Sequence, residues 1–209
     1  MNIFISIMYK ILNIVSFFYP LKILELLMRI NKNLYSAKIK KRIRYCGKKF
    51  KIKPPIALKG GEYMKIGENF RAGKDMVLQC WDQYEKDKFM PCLEIGTNVS
   101  FGDNSHVGCI LFIKIGDNLL TGRNVYITDH FHGIGTLDEG LIPPKKRSLY
   151  AKGTVKIGNN VWLGENSVIL PNVTIGDNVT VGANAVVTKD LPDNCVAAGV
   201  PAKVIRIKQ

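Results

Sequence analysis

The chain lacks several features that would direct its reading elsewhere. Its five cysteines, Cys46, Cys80, Cys92, Cys109 and Cys195, form no CxxC pair and no zinc-type spacing. Neither a zinc ribbon nor a disulfide-stapled secreted fold is therefore expected, and the thiols fit a reducing cytoplasm. The start, MNIFISIMYKILNIVSFFYP, is apolar but has no positively charged n-region and no small-residue cleavage site, which argues against a signal peptide. Acid is scarce in the first third: residues 1–65 hold fifteen Lys and Arg against Glu25 and Glu62 alone, whereas residues 66–209 hold fifteen of each sign. The formal charge of +13 thus belongs to the N-terminal segment. A cation beside a neutral body points to a local anionic partner such as a lipid surface, and no aromatic stacking platform accompanies the charge, so nucleic acid is not expected. At 209 residues there is room for one sizeable core with a small appendage.

In the apolar start, Asn2, Ser6, Tyr9, Lys10, Asn13 and Ser16 recur at three- and four-residue steps, which gives a helix with a wide apolar face and a narrow polar one. In a membrane-spanning helix Lys10 would sit near mid-bilayer at a cost of about 3 kcal/mol, so an interfacial helix is expected. After Pro20, LKILELLMRI reads as a second amphipathic helix with Lys22, Glu25 and Arg29 on its polar side. The following stretch, residues 31–53, carries ten Lys and Arg and no acid. It is either a solvated surface whose apolar side packs on the body or a contact for anionic lipid.

From Ile157 the sequence divides into sixes: IGNNVW, LGENSV, ILPNVT, IGDNVT, VGANAV, VTKDLP. Every leader is aliphatic. On an α-helix six residues advance about 600°, so the leaders would form no stripe. An antiparallel meander would need a hairpin every six residues, leaving strands too short to stand. What remains is a coil with one short strand per hexad, stacked through parallel ladders about 4.8 Å apart, leaders pointing inward. Asn or Asp holds the fourth position of all six hexads, as left-handed corners favour. Earlier copies open at Ile66, Ala72, Ile95, Phe101, Ile115 and Thr121, interrupted by residues 80–92 and 129–154. Both interruptions read as loops ejected at a corner.

The segments NVYITDHFHG, VKIGNNVWLGENSVILPNVTIGDNVTVGANAVVTKDLPDN and VAAGVPAKVIR resemble the hexapeptide-repeat sugar O-acetyltransferases, most of all those of O-antigen and capsular polysaccharide. The resemblance covers residues 66–209 and implies an all-β fold, a left-handed parallel β-helix over residues 61–209; the short basic helical segment expected over residues 1–60 gains little from it and rests on the amphipathic pattern above. The resemblance further implies a homotrimer with sites between subunits, acetyl-CoA as co-substrate with no metal, and a sugar, nucleotide-sugar or lipid-linked glycan as acceptor. The position matching the family's base is His130.

An imidazole suits proton removal from a sugar hydroxyl near neutral pH. His132, on the same side of an extended segment, is a candidate substrate contact, whereas Asp129 would project oppositely and is not expected to orient the ring. His106, in FGDNSHVG, and Asn104 are candidates for acceptor hydroxyls, with a corner role for Asn104 equally open. Small residues at Gly164, Gly182 and Ala183 suit close approach of CoA; the resemblance adds Thr188 and Lys189 near its pantetheine arm and Lys203 and Arg206 near its phosphates. Lys145, Lys146 and Arg147 depart from the galactoside branch. Two other readings stand beside this one: a zinc enzyme like the gamma-class carbonic anhydrases, disfavoured because His130 and His132 are too close in sequence to share a tetrahedral ion easily, and a non-catalytic scaffold at a membrane surface.

Overall fold

The computed structural model of the chain describes residues 2–18 and 20–208. Of the apolar start, Met1, Tyr19 and the side chains of Asn2, Ile3 and Phe18 lie outside the described residues. Two helices, α1 (Asn2–Phe18) and α2 (Leu21–Lys40), precede a left-handed parallel β-helix.

The strands visit three faces in strict rotation. The first face runs from Tyr45–Cys46 through Met64–Ile66, Cys92–Ile95, Phe112–Ile115 and Val155–Ile157 to Thr174–Ile175. The second runs from Lys51–Ile52 through Arg71–Ala72, Ser100–Phe101, Leu120–Thr121 and Trp162–Leu163 to Thr180–Val181, and is closed by Cys195–Gly199 and its antiparallel partner Ala202–Ile207. The third runs from Ile56–Lys59 through Met76–Cys80, His106–Cys109, Tyr126–Thr128 and Val168–Ile169 to Val186–Val187. The coil therefore begins at Tyr45, inside the segment expected to be helical up to residue 60. Its earliest turns escaped the hexad count because YCGKKFKIKPPIALKGG has charge and proline where later turns have Gly and Asn.

Every leader named above is buried, from Ile66 and Ile95 through Ile157 to Val187. In-register pairing stacks like on like, as in Ile66↔Ile95, Ile95↔Ile115, Ile115↔Ile157 and Ile157↔Ile175. Burial of such a side chain contributes about 1.5–3 kcal/mol. Thr121 is the one polar leader; its Oγ1 accepts from the Gly102 N–H at 3.0 Å and donates to the Gly122 carbonyl at 2.8 Å, so it enters the wall at no unpaired cost.

The corners follow the fourth-position rule with one exception. Asn160, Asn166, Asn172, Asn178 and Asn184 all have φ between 56° and 63°. Asp190 is not among the left-handed corners, and its carboxylate instead accepts the Thr174 N–H at 2.7 Å. Side-chain amides link successive corners, Asn69 to Asn98 to Asn118 to Asn160 along one edge and Asn124 to Asn166 to Asn184 along another. The glycine after the leader is required by the closeness of the coils: a Cβ on Gly116 would lie 2.7 Å from the carbonyl carbon of Gly158 in the next turn.

The open lower end of the coil would leave a strand edge unpaired. The second half of α2 covers it. Ser36 Oγ accepts the Ile52 N–H at 3.1 Å, the Tyr35 hydroxyl accepts the Ile56 N–H at 3.0 Å, and Ile39 is buried on the core. The charged run read above thus divides: the helix continues to Lys40, and the wall takes up the chain from Tyr45. By contrast, residues 4–17 of α1 and the first half of α2 are exposed, with Phe4 78 % and Leu27 51 % accessible. No single helix among the described residues is long and apolar enough to cross a membrane, and the two meet at a bend of 96°.

Candidate active site

The second excursion leaves the wall where the third-face strand Tyr126–Thr128 ends. There the chain turns instead of running on extended, and this changes where Asp129 points. Its carboxylate is fully buried and accepts three consecutive main-chain N–H groups of the turn below: Ile110 at 2.9 Å, Leu111 at 2.8 Å and Phe112 at 3.0 Å. The remaining direction of Oδ1 is taken by His130 Nδ1 at 2.9 Å. The expectation that Asp129 would face away from His130 is corrected: alternation holds only within a strand, and these two residues lie at a corner.

The consequences for His130 are chemical. With an acceptor-only carboxylate on Nδ1, the hydrogen-bond network assigns the ring proton to that nitrogen and leaves Nε2 as a bare acceptor. Thr128 Oγ1 lies 3.2 Å from Nδ1 and also contacts the His130 main chain, fixing the ring further. Its side chain is 12 % exposed, so the ring is screened yet reachable.

His130, His106 and His132 come together in one cavity of about 140 Å³, with Gln79, Trp81, Tyr84, Tyr126 and Leu149. His106 stands one coil below, in register with Tyr126, and packs edge-on against the Tyr126 ring at 4.9 Å. Gly108 lies beneath both imidazoles; a Cβ there would be 3.2 Å from His130 Cε1 and 3.4 Å from His106 Nε2. Burial, and secondarily the neighbouring His130, push the His106 pKa below its ordinary 6.5, which favours a neutral ring.

Both ejected loops contribute to the roof. His132 pairs with Leu149 in a short antiparallel ladder and meets the Tyr84 ring edge-on at 5.3 Å. Tyr84 in turn donates to the Lys145 carbonyl at 2.6 Å and packs on Trp81. Lys59 Nζ lies 3.3 Å over the Trp81 ring, a cation–π contact. Trp81, Tyr84, Gln79, Tyr126 and Leu149 were not anticipated from the sequence; only the aromatic pair in CWDQY carries a signal that could have marked the first loop.

The other candidates lie apart from this cavity within one chain. Asn104 is an exposed corner residue with φ 58°, between the second and third faces. Its side-chain amide stays out of the ladder that joins Asn124, Asn166 and Asn184 above it. Gly164, Gly182 and Ala183 rise along that same corner, where a Cβ on Gly164 would meet the Ala183 nitrogen at 2.5 Å; the tight wall alone therefore demands that glycine. Thr188 and Lys189 follow the strand Val186–Val187 and stand two coils above the Thr128 edge, about 10 Å along the axis. Lys203 and Arg206 are exposed on the terminal hairpin. Arg147 Nε donates to the Ile142 carbonyl at 2.9 Å, bracing the second loop. Among the described residues, no group of three or more His, Cys, Asp or Glu is placed to hold a metal ion.

Comparison with known proteins gives this arrangement a context. Residues 154–189 match the family described as bacterial transferase hexapeptide (six repeats). WbbJ of Escherichia coli K12, named as a lipopolysaccharide biosynthesis O-acetyl transferase, is 36 % identical over 159 residues, covering 74 % of this chain and 77 % of its own. A galactoside acetyltransferase solved with coenzyme A superposes with a TM-score of 0.54 at 31 % identity, covering 83 % of this chain and 69 % of that one. The N-acyltransferase AntD of Bacillus cereus, solved with dTDP and 3-hydroxybutyryl-CoA, has a TM-score of 0.68 over 83 % of this chain and 88 % of its own; at 22 % identity it supports the fold alone.

Proposed function

Because the chain belongs to the bacterial hexapeptide-repeat acetyltransferases, we propose that it transfers the acetyl group of acetyl-CoA to a hydroxyl of a sugar, with His130 as the base. The observation that carries this reading is the Asp129–His130 pair, a carboxylate locked by three N–H donors and holding an imidazole by Nδ1 at 2.9 Å. His130 Nε2 takes the hydroxyl proton as the oxygen bonds to the thioester carbon. As the carbon–sulfur bond breaks, the same nitrogen returns that proton to the departing thiolate. His106, neutral beside it, can hydrogen-bond the acceptor, and the Trp81, Tyr84 and Tyr126 rings suit the apolar faces of a sugar.

Gly164, Gly182 and Ala183 occupy the corner between the second and third faces and Lys203 and Arg206 the terminal hairpin, while His130 lies at the other edge of the third face, two coils below Thr188 and Lys189. This separation supports a homotrimer in which a neighbouring subunit supplies Gly164, Gly182 and Ala183, with Thr188, Lys189, Lys203 and Arg206 toward the arm and phosphates. The exposed apolar α1, next to the basic segment, supports peripheral contact with an anionic membrane and an acceptor for surface polysaccharide, either O-antigen or capsule. The relatives are acyltransferases, which does not favour the zinc-enzyme reading. Thioester cleavage measured across a panel of sugars and nucleotide-sugars tests the proposal. His130→Ala should lower turnover by about 10²-fold or more, with trimer and CoA affinity retained; an unchanged rate would remove His130 from the mechanism.

A further inference from the structure

A groove of about 550 Å³ on the second face, larger than the histidine cavity, gathers Lys32, Lys51, Lys53, Arg71 and Arg123 with Asp103 as the one acid in its lining. Lys32 comes from α2, Lys51 and Lys53 from the first turn of the coil, and Arg71 and Arg123 from higher turns, so distant segments are brought to one place. Two of the five cations have acidic neighbours: Arg123 meets Glu165 at 3.0 Å, and Lys53 reaches Asp103 only at 3.8 Å. Lys32, Lys51 and Arg71 have no acidic partner among the described residues.

The arrangement is electrostatically incomplete. Lys51 and Arg71 are in direct register on adjacent parallel strands, followed by Ser100 and Leu120, so the column contains two adjacent cations and no acid. Like charges placed side by side on a sheet are destabilising. On the first face one cation has an acidic partner, Lys65 being in register with Glu94 and bonded to it at 2.9 Å, while Lys114 and Lys156 stand in register there on exposed wall with no cationic groove around them. No acid stands in this column of the second face, and the groove beside it leaves room for an anion.

The groove also lies on the same turns as the histidine cavity. Its lining residues Phe101, Gly102 and Asp103 run directly into the corner at Asn104 and on to His106. We infer that the groove binds the diphosphate of an activated sugar, the acceptor's phosphates lying among Lys32, Lys51 and Arg71 while its sugar reaches the imidazoles around the corner or on a neighbouring subunit. The inference rests on the sugar-acetyltransferase reading but is tested without turnover.

The experiment is calorimetric titration of the full chain with inorganic pyrophosphate and with UDP, in wild type and in the double variant Lys51→Ser, Arg71→Ser. Both positions are exposed and in register with Ser100, so the wall should tolerate serine there. Wild type should bind both probes, and the double variant should bind at least tenfold more weakly with a thermal midpoint no lower than that of wild type, because the repulsion between the two cations is gone. The charge-preserving Lys51→Arg, Arg71→Lys should stay within about threefold of wild type. No pyrophosphate binding, or equal binding by the serine variant, would overturn the assignment. A second arm uses phosphatidylglycerol vesicles: if the serine variant loses only vesicle association while wild type ignores pyrophosphate and UDP, the groove is a headgroup contact and the diphosphate assignment falls. Failure of acetyl transfer would show in the His130→Ala assay and leave these titrations readable.

Discussion

The coil and the helices that precede it solve the problem of apolar surface in opposite ways. In the coil each aliphatic leader is stacked on another and sealed, with Leu163, Ile127 and Ile169 fully buried. In α1 and the first half of α2 side chains of the same type are left open, such as Ile14 at 63 % and Met28 at 62 %. The coil seals its apolar side chains within the chain, whereas those of the helices are left open in it. The histidine site belongs wholly to the first kind of structure. Its geometry is a by-product of how a closed wall ends a strand and ejects a loop.

That contrast can be broken most sharply at Asp129. Replacing it by Asn keeps the shape but puts an amide where a pure acceptor stood, so the amide can donate to His130 Nδ1 and move the ring proton to Nε2. Turnover should fall on the order of 10²–10⁴-fold, checked by steady-state thioester cleavage. An active Asp129→Asn enzyme would mean that the wall does not set the ring.

The next effect separates coil from helix by stability. Leu163→Ala, in the fully buried column, should cost about 2–5 kcal/mol in denaturant unfolding. Leu27→Ala, half-exposed on α2, should stay within about 0.5 kcal/mol. Equal costs at the two sites would contradict the division.

The smallest effect is one of pH. The folded His106 pKa lies below 6.5, so between the folded value and 6.5 the unfolded chain binds more protons and stability rises with pH. This contribution is complete above the unfolded value and is lost as pH falls through the folded one. His106→Gln should therefore flatten the dependence of the thermal midpoint on pH below about 6.5; an unaltered slope would show that burial of this ring is not felt.

Much of this division could be read in the residues. The period of six fixed the coil from Ile66 onward, and Pro20 marked the break between two helices. The first turn was hidden because Lys49, Lys53 and Pro54–Pro55 occupy positions where later turns show corner residues, and a charged run reads equally well as a helix surface. His130 was visible through its motif, and His106 and His132 do line its cavity. Asp129 was misread because strand alternation was carried one residue past the strand's end. Leu149 and Tyr84 reach the site only through contacts between the two ejected loops, and such pairings leave no periodic trace.

The claim on which the account turns is that Asp129 holds the His130 proton on Nδ1 and leaves Nε2 bare. Nitrogen-15 NMR of histidine-labelled protein at alkaline pH, with His130 assigned by comparison with His130→Ala, reads this directly. A protonated Nδ1 and an unprotonated Nε2 are expected; a proton found on Nε2 would contradict the account.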